Sequence, residues 1–147
     1  MHFDDLSNDT YLGHCPYLKS IGWLGAGHEF TTGDPPADLV ALLEEQLKDH
    51  WCCFACAGRH GCEFCQAEGR EHLDSRNFII PGKTTAYLAP GMILHYVQQH
   101  RYLPPAEFIE ALRDCPPRRS EEFMAGVHAM WSWVDETLAP PAGPTPP

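Results

Sequence analysis

The chain has 147 residues, enough for one domain with a buried core and too few for two ordinary domains. Its 20 acidic and 10 basic side chains give a formal net charge of -10, which disfavours binding to the phosphate backbone of nucleic acids. A hydrophobic fraction of 44% argues against disorder, and no apolar run approaches the roughly 18 residues of a membrane span. We therefore expect one globular unit that contacts neither nucleic acid nor membrane.

Residues 1–33 have no sustained helical or alternating pattern, and we interpret them as an ordered but irregular arm. The acidic start of this arm lacks the basic and apolar regions of a signal peptide, so we expect a cytoplasmic protein. A helix over about 36–50 follows, because Pro35 and Pro36 suit a first helical turn. The apolar residues of this helix recur at core-facing spacing: Leu39, Leu42, Leu43 and Leu47.

The middle of the chain predicts a small β-hairpin, because two short β-prone runs between Asn77 and Leu88 flank a Pro81-Gly82 turn. A helix from about residue 92 follows and stops before Pro104. The next helix spans about 105–114 and has apolar residues on one side.

The last helix is predicted over about 121–138, with Ser120 as its N-cap and apolar residues at steps of three and four. Residues 140–147 are rich in proline and predict a flexible tail, so we assign a single globular domain to 1–139. The expected fold class is α+β, as a mainly helical single domain with a small β-hairpin and a Cys/His zinc knuckle at 51–66.

Cysteines are concentrated at one point of the chain. Five of the seven fall in the segment from Cys52 to Cys65, and four of these five form two Cys-x-x-Cys pairs. In a reducing compartment such clusters indicate metal binding or catalysis in preference to disulfides. A Cys-x-x-Cys turn places two sulfurs on one side of a tight loop, at a separation that tetrahedral zinc accepts. The segment therefore predicts a zinc site.

Spacing alone leaves the ligand set of this zinc site open. One set is Cys53, Cys56, Cys62 and Cys65. We favour the set Cys56, His60, Cys62 and Cys65, because its last three members place three donors in one short loop. A third arrangement keeps only these three, with a distant histidine or water in the fourth position, and that open geometry would be catalytic.

The same cysteines admit other interpretations. Cys52, next to Trp51, is typical of a buried core thiol. Cys53 and Cys56 are candidates for a thiol redox pair, although no βαβ pattern surrounds them. The number of cysteines also suits an iron–sulfur cluster, at spacings unlike those of ferredoxins. Zinc is therefore the predicted cofactor, and an iron–sulfur cluster is the alternative.

Three histidines outside the knuckle have weaker signals. His28 follows a glycine-rich turn, and His95 lies beside core-facing positions of a predicted helix. Each alone is more often a hydrogen-bonded structural residue than a catalytic one. His95 and His100 are five residues apart, a spacing that does not place two side chains well on one helix face. His95 and His28 remain candidates for an acid/base or a fourth ligand.

Three stretches carry a family resemblance: GWLGAGHEF at 22–30, GRHGCEFC at 58–65, and APGMILHY at 89–96 with HRYLPPAEFI at 100–109. In these stretches the sequence resembles an uncharacterised family of small bacterial proteins, across most of residues 17–112. The resemblance implies a shared architecture around a zinc knuckle and carries no activity. It also places His28, His95 and Tyr96 in the same recurring pattern.

Three functions follow from these features. The first is a small zinc protein whose closed Cys/His site stabilises the fold of a binding or accessory module for an unknown protein or small-molecule partner. The second is a zinc-dependent enzyme with an open site at His60, Cys62 and Cys65, in which His95 or His28 acts as acid/base or fourth ligand. The third is a redox protein that uses Cys53 and Cys56.

Overall fold

The structure, a computed structural model, describes residues 1–52 and 60–138. Within these residues, helices and short strands follow one another along the chain, and their order is β1 (Asp9–Thr10), β2 (Gly13–His14), β3 (Leu18–Ser20), α1 (Leu39–Lys48), β4 (His60–Gly61), α2 (Glu63–Ala67), β5 (Leu73–Asp74), β6 (Asn77–Pro81), β7 (Ala86–Pro90), α3 (Ile93–His100), α4 (Ala106–Asp114), α5 (Glu121–Gly126) and α6 (His128–Leu138). The fold class is α+β, with sheets of two or three strands among the described residues.

The central sheet has three strands in the order β3, β7, β6. Strands β6 and β7 form the predicted hairpin, in which Asn77 pairs with Pro90 and Pro81 with Ala86. Strand β3 joins β7 in parallel, from Leu18 opposite Ala86 to Ser20 opposite Leu88. All residues of β6 and β7 are buried, which explains their nearly continuous apolar sequence.

Each face of this sheet covers its own hydrophobic core, because alternate residues of a strand point to opposite faces. Phe78 and Ile80 of β6 face the first core, which also contains apolar residues of α1, α3 and α4. Ile79, between them, faces the second core, together with Leu88 of β7. The sheet is therefore the middle layer between two groups of helices.

Helices α5 and α6 cover the second face with three buried residues: Phe123, Val127 and Met130. The sequence predicts one helix here, but the structure has two, which meet at Val127. At this junction Gly126 lies so close to β6 that an added Cβ would be 2.5 Å from the Cβ of Pro81. The predicted cap at Ser120 is confirmed, because its hydroxyl accepts a hydrogen bond from the N–H of Phe123.

The N-terminal arm is tied to the core and contains three short strands that its sequence does not predict. The carboxylate of Asp5 accepts hydrogen bonds from the N–H of Gly22 at 2.9 Å and from the hydroxyl of Tyr102 at 2.7 Å. Trp23 is 1% exposed and donates its indole N–H to the carbonyl of Leu88. The arm therefore forms part of both the sheet and the second core.

The other predicted helices are present but shorter than predicted. For example, α1 begins at Leu39, three residues after the predicted start. The prediction of a mainly helical chain is not confirmed, because turns and loops connect short elements through much of the described chain. None of the helices in residues 1–52 and 60–138 has the length and apolar character that crossing a bilayer requires.

Candidate metal centre

Cys62 and Cys65 lie at the start of the short helix α2. Cys62 is the N-cap, and its sulfur accepts a hydrogen bond from the N–H of Cys65 at 3.5 Å. Just before it, β4 pairs with β5, and the N–H of Cys62 donates to the carbonyl of His72 at 3.0 Å. The hairpin and the helical turn together hold both thiols on one side of the loop.

His95 and His100 come from α3, which packs below this loop. His100 is the last residue of the helix, and Arg101 follows it in the left-handed conformation at φ 56°. The N–H groups of Arg101 and Tyr102 both donate to the carbonyl of Tyr96, which closes the last helical turn. This C-terminal cap fixes the backbone from which the His100 ring extends.

The four side chains converge on one point. Each offers one donor atom, and the four atoms of Cys62, Cys65, His95 and His100 all lie within 4.8 Å of one another. The Nε2 of His100 is 3.4 Å from the sulfur of Cys62 and 3.6 Å from that of Cys65. The Nε2 of His95 is 3.3 Å from the sulfur of Cys65 and 3.2 Å from the Nε2 of His100.

The four separations between these nitrogen and sulfur atoms are compatible with tetrahedral coordination. Zinc bonds of about 2.3 Å to sulfur and about 2.0 to 2.1 Å to nitrogen place tetrahedral S and N donors about 3.5 Å apart and two N donors about 3.3 Å apart. The observed S–N distances of 3.3, 3.4 and 3.6 Å and the N–N distance of 3.2 Å agree with this geometry. The Cys2His2 cluster can therefore hold a metal ion.

Burial shifts the pKa values of His95, His100 and Cys62. Burial, together with the neighbouring rings of His72 and His100, lowers the pKa of His95 to about 4. Burial and the nearby Arg70 also lower the pKa of His100. Both imidazoles are thus neutral at neutral pH, the form that binds metals. Burial raises the pKa of the Cys62 thiol, and a bound cation would reverse this effect by stabilising the thiolate.

Aromatic rings surround the cluster and hold the two histidines. The ring of His72 stacks on that of His95, with centroids 3.9 Å apart and an interplanar angle of 12°. The ring centroid of Phe64 lies 5.2 Å from that of His100 and 6.1 Å from that of Tyr96. Cys62 and Cys65 are 0% and 2% exposed. Water therefore has almost no access to the two sulfur atoms.

Sequence comparison shows the family to which the chain belongs. The family described as a domain of unknown function, DUF7919, matches residues 1–113. The chain belongs to this family. The predicted resemblance to an uncharacterised family is thereby confirmed. No curated protein and no solved structure matches the chain. All four donors lie within the matched DUF7919 part, whereas α5 and α6 lie beyond it.

Among the described residues, the structure brings together only some of those that the sequence predicts for the metal site of this DUF7919 protein. Cys62 and Cys65 belong to the cluster. His60 does not belong to the four-donor group, and its ring lies against Trp23, with centroids 5.8 Å apart. Cys53 and Cys56 lie outside the described residues, so their part in a metal site stays a prediction.

The two candidate acid/base histidines, His28 and His95, lie in different parts of the structure. His28 is exposed and stacks on His2, with ring centroids 3.8 Å apart. His95 lies in the cluster as a potential ligand, together with His100, which sequence reasoning does not select. Because they are five residues apart in sequence, His95 and His100 start about 140° apart around the helix and do not share one face. Their side chains nevertheless reach a common point beyond the helix surface, where the two Nε2 atoms lie 3.2 Å apart.

Proposed function

We propose that this DUF7919 protein binds one zinc ion through Cys62, Cys65, His95 and His100, and that the closed site joins the β4–α2–β5 hairpin to α3. The observation that carries the proposal is the convergence of four donor atoms within 4.8 Å of one another. Two thiolates and two neutral imidazoles form a ligand set typical of structural zinc. With such a site, the protein would serve as a binding or accessory module in the reducing cytoplasm.

A single ion is favoured over an iron–sulfur cluster by the short distances between sulfur and nitrogen atoms. In a two-iron cluster with two Cys and two His ligands, the cysteines bind one iron and the histidines the other. That arrangement would separate the two donor types by the width of the cluster. Here the sulfur of Cys65 is 3.3 Å from the Nε2 of His95. One ion fits between them, and a cluster does not.

A zinc-dependent enzyme is the second candidate, because a cavity of about 400 Å³ includes Cys65 and His95 in its wall. Catalytic zinc sites keep one position for water or substrate, whereas structural sites use four protein ligands. Four ligands from the chain favour the structural site. An oxygen ligand in place of one of them would instead favour the enzyme.

Elemental analysis of freshly purified protein tests the proposal. We expect one zinc per chain in the wild type and in Cys115→Ser, which changes a half-buried thiol outside the cluster. The double variant Cys62→Ser, Cys65→Ser should contain none. Full zinc in Cys56→Ser and His60→Asn would support the proposed ligands over the set predicted from sequence. A wild type without stoichiometric metal would refute the proposal.

A further inference from the structure

The cavity beside the metal centre is bounded by α3 and by the segment that connects α2 to β6. Its volume of about 400 Å³ is in the range of small-molecule sites. Cys65 and His95 form part of its wall, so a molecule in the cavity would lie directly against two of the proposed zinc ligands. The cavity is therefore positioned to bind a small ligand at the metal centre.

Two of the charged residues in the cavity neutralise each other. Arg76 donates through Nε and Nη2 to the two carboxylate oxygens of Asp74, at 3.1 and 2.7 Å. Asp74 is held against the backbone at Gly91, where an added Cβ would be 2.6 Å from its Oδ1. This ion pair is thus a fixed part of the wall. The other charged residues of the cavity wall are Arg70 and Glu71, and a ligand would interact with these two.

Arg70 can serve a ligand as well as its present partner. One of its terminal nitrogens donates to the exposed carboxylate of Glu68. A guanidinium has five N–H donors, so most of them remain for a second acceptor. The planar guanidinium of arginine is well suited to bind a carboxylate or a phosphate through two parallel hydrogen bonds.

A second donor comes from His95, which is only 9% exposed. The hydrogen-bond partners of its ring among the described residues all lie at Nε2, the atom that faces the metal centre. When Nε2 binds a metal, the proton of the neutral ring is at Nδ1, and that N–H normally donates to a carboxylate, a carbonyl or water. The described residues supply no such acceptor, and His95 lines the cavity.

We propose that the cavity binds a small oxyanion, either inorganic phosphate or the carboxylate of a small organic acid, which accepts hydrogen bonds from Arg70 and from the Nδ1–H of His95. This inference rests on the proposed zinc site, because zinc at Nε2 fixes the proton at Nδ1. The oxyanion would complete the hydrogen bonding of a metal ligand, and its binding would be sensed at the metal centre.

The experiment uses the full chain loaded with zinc and labelled with ¹⁵N at histidine. Phosphate and acetate are titrated separately at constant ionic strength, and the Nδ1 resonance of His95 is followed. We expect a saturable shift with one or both anions. Arg70→Gln should weaken binding roughly tenfold or more, as expected for the loss of a hydrogen bond to a charged group. Glu71→Gln should tighten binding, because it removes a like charge from the cavity.

Arg113→Gln is the matched control, because Arg113 is also a surface arginine paired with a carboxylate, that of Asp38, and lies outside the cavity. It should leave the affinity unchanged. Equal losses in Arg70→Gln and Arg113→Gln, or no saturable shift with either anion, would overturn the inference. The zinc content of each sample separates the two failures, since a chain with one zinc that binds neither anion contradicts only the oxyanion site. A chain without zinc contradicts both.

Discussion

Cys62 and Cys65 supply only half of the Cys2His2 cluster, and the two histidines lie 30 to 38 positions further along the chain. The Cys-x-x-Cys pair is recognisable in the sequence because both donors depend on one local turn. The two histidines cannot be recognised as ligands in the sequence, because they approach the thiols only through the packing of α3 beneath α2. The sequence nevertheless contains one signal, because His95 lies beside core-facing positions of the predicted helix.

Replacing His100 should remove most of the zinc affinity. The amide of His100→Asn is too short to reach the position of the imidazole Nε2 and is a poor zinc ligand. We expect a loss larger than the roughly 10- to 100-fold that removal of a group supporting a ligand costs. Competition with a chromophoric chelator measures it. His28→Asn is the control, because His28 is exposed and stacks on His2; equal affinities of the two variants would contradict the ligand assignment.

Asp5 should make a pH-dependent contribution to stability. Burial raises the pKa of its carboxyl, although hydrogen bonds from Gly22 and Tyr102 oppose the shift. A carboxyl whose folded pKa is raised contributes stability below its unfolded pKa and loses that contribution as the pH rises through the folded pKa. The unfolding free energy of wild type minus that of Asp5→Asn should therefore fall as the pH rises from about 4 towards neutrality.

Urea unfolding of both proteins at several pH values checks this sign. Acid would also release a metal held by the Cys2His2 cluster, but this would happen in both proteins and so cancel in the difference. A difference that rises with pH would show that the two hydrogen bonds to Asp5 outweigh the cost of burying its charge.

At the scale of elements, α5 depends on its cap. The hydroxyl of Ser120 accepts from the N–H of Phe123 at 3.2 Å, and Ser120→Ala leaves that N–H without this partner. The expected cost is about 0.5 to 2 kcal/mol of unfolding free energy. Chemical denaturation measures it. Ser75→Ala, on an exposed stretch between β5 and β6, should cost much less, and similar values for both would argue against a stabilising cap.

The sequence identifies elements whose cause is local. The hairpin follows from two β-prone runs around Pro81-Gly82, and the start of α5 follows from Ser120. Strand β3 escapes prediction because its three residues become a strand only by pairing with β7, which lies more than 60 residues later. The break at Val127 escapes for a similar reason, since the close contact of Gly126 with Pro81 is tertiary.

At the scale of the whole molecule, the sheet separates two cores of different origin. Among the described residues, those within 1–113, the part matched by DUF7919, supply the sheet, the Cys2His2 cluster and the first core, apart from the half-buried Cys115 packed against that core. The second core is completed by Phe123, Val127 and Met130, beyond the matched residues. The α+β class was predictable from the order of the elements, whereas this division of the core was not, because it depends on which strand face each helix covers.

Metal removal should affect the first core more than the second. Cys62 and Cys65 lie in the first core, and zinc would join α2 to α3 there. Because ligand binding to the folded state stabilises it, chelation should lower the melting temperature and reduce helicity. Circular dichroism of the verified zinc-free protein measures both. Normal helicity and an unchanged melting temperature would rule out a structural role for the metal.

X-ray absorption at the zinc edge of the purified wild type tests most directly whether two thiolates and two imidazoles hold one ion. We expect two sulfur ligands at about 2.3 Å and two nitrogen ligands at about 2.0 Å, with no bound water. Three or four sulfur ligands would instead indicate that other cysteines, such as Cys53 or Cys56, occupy the positions assigned to His95 and His100. A spectrum with an oxygen ligand would contradict the closed site and favour the enzyme.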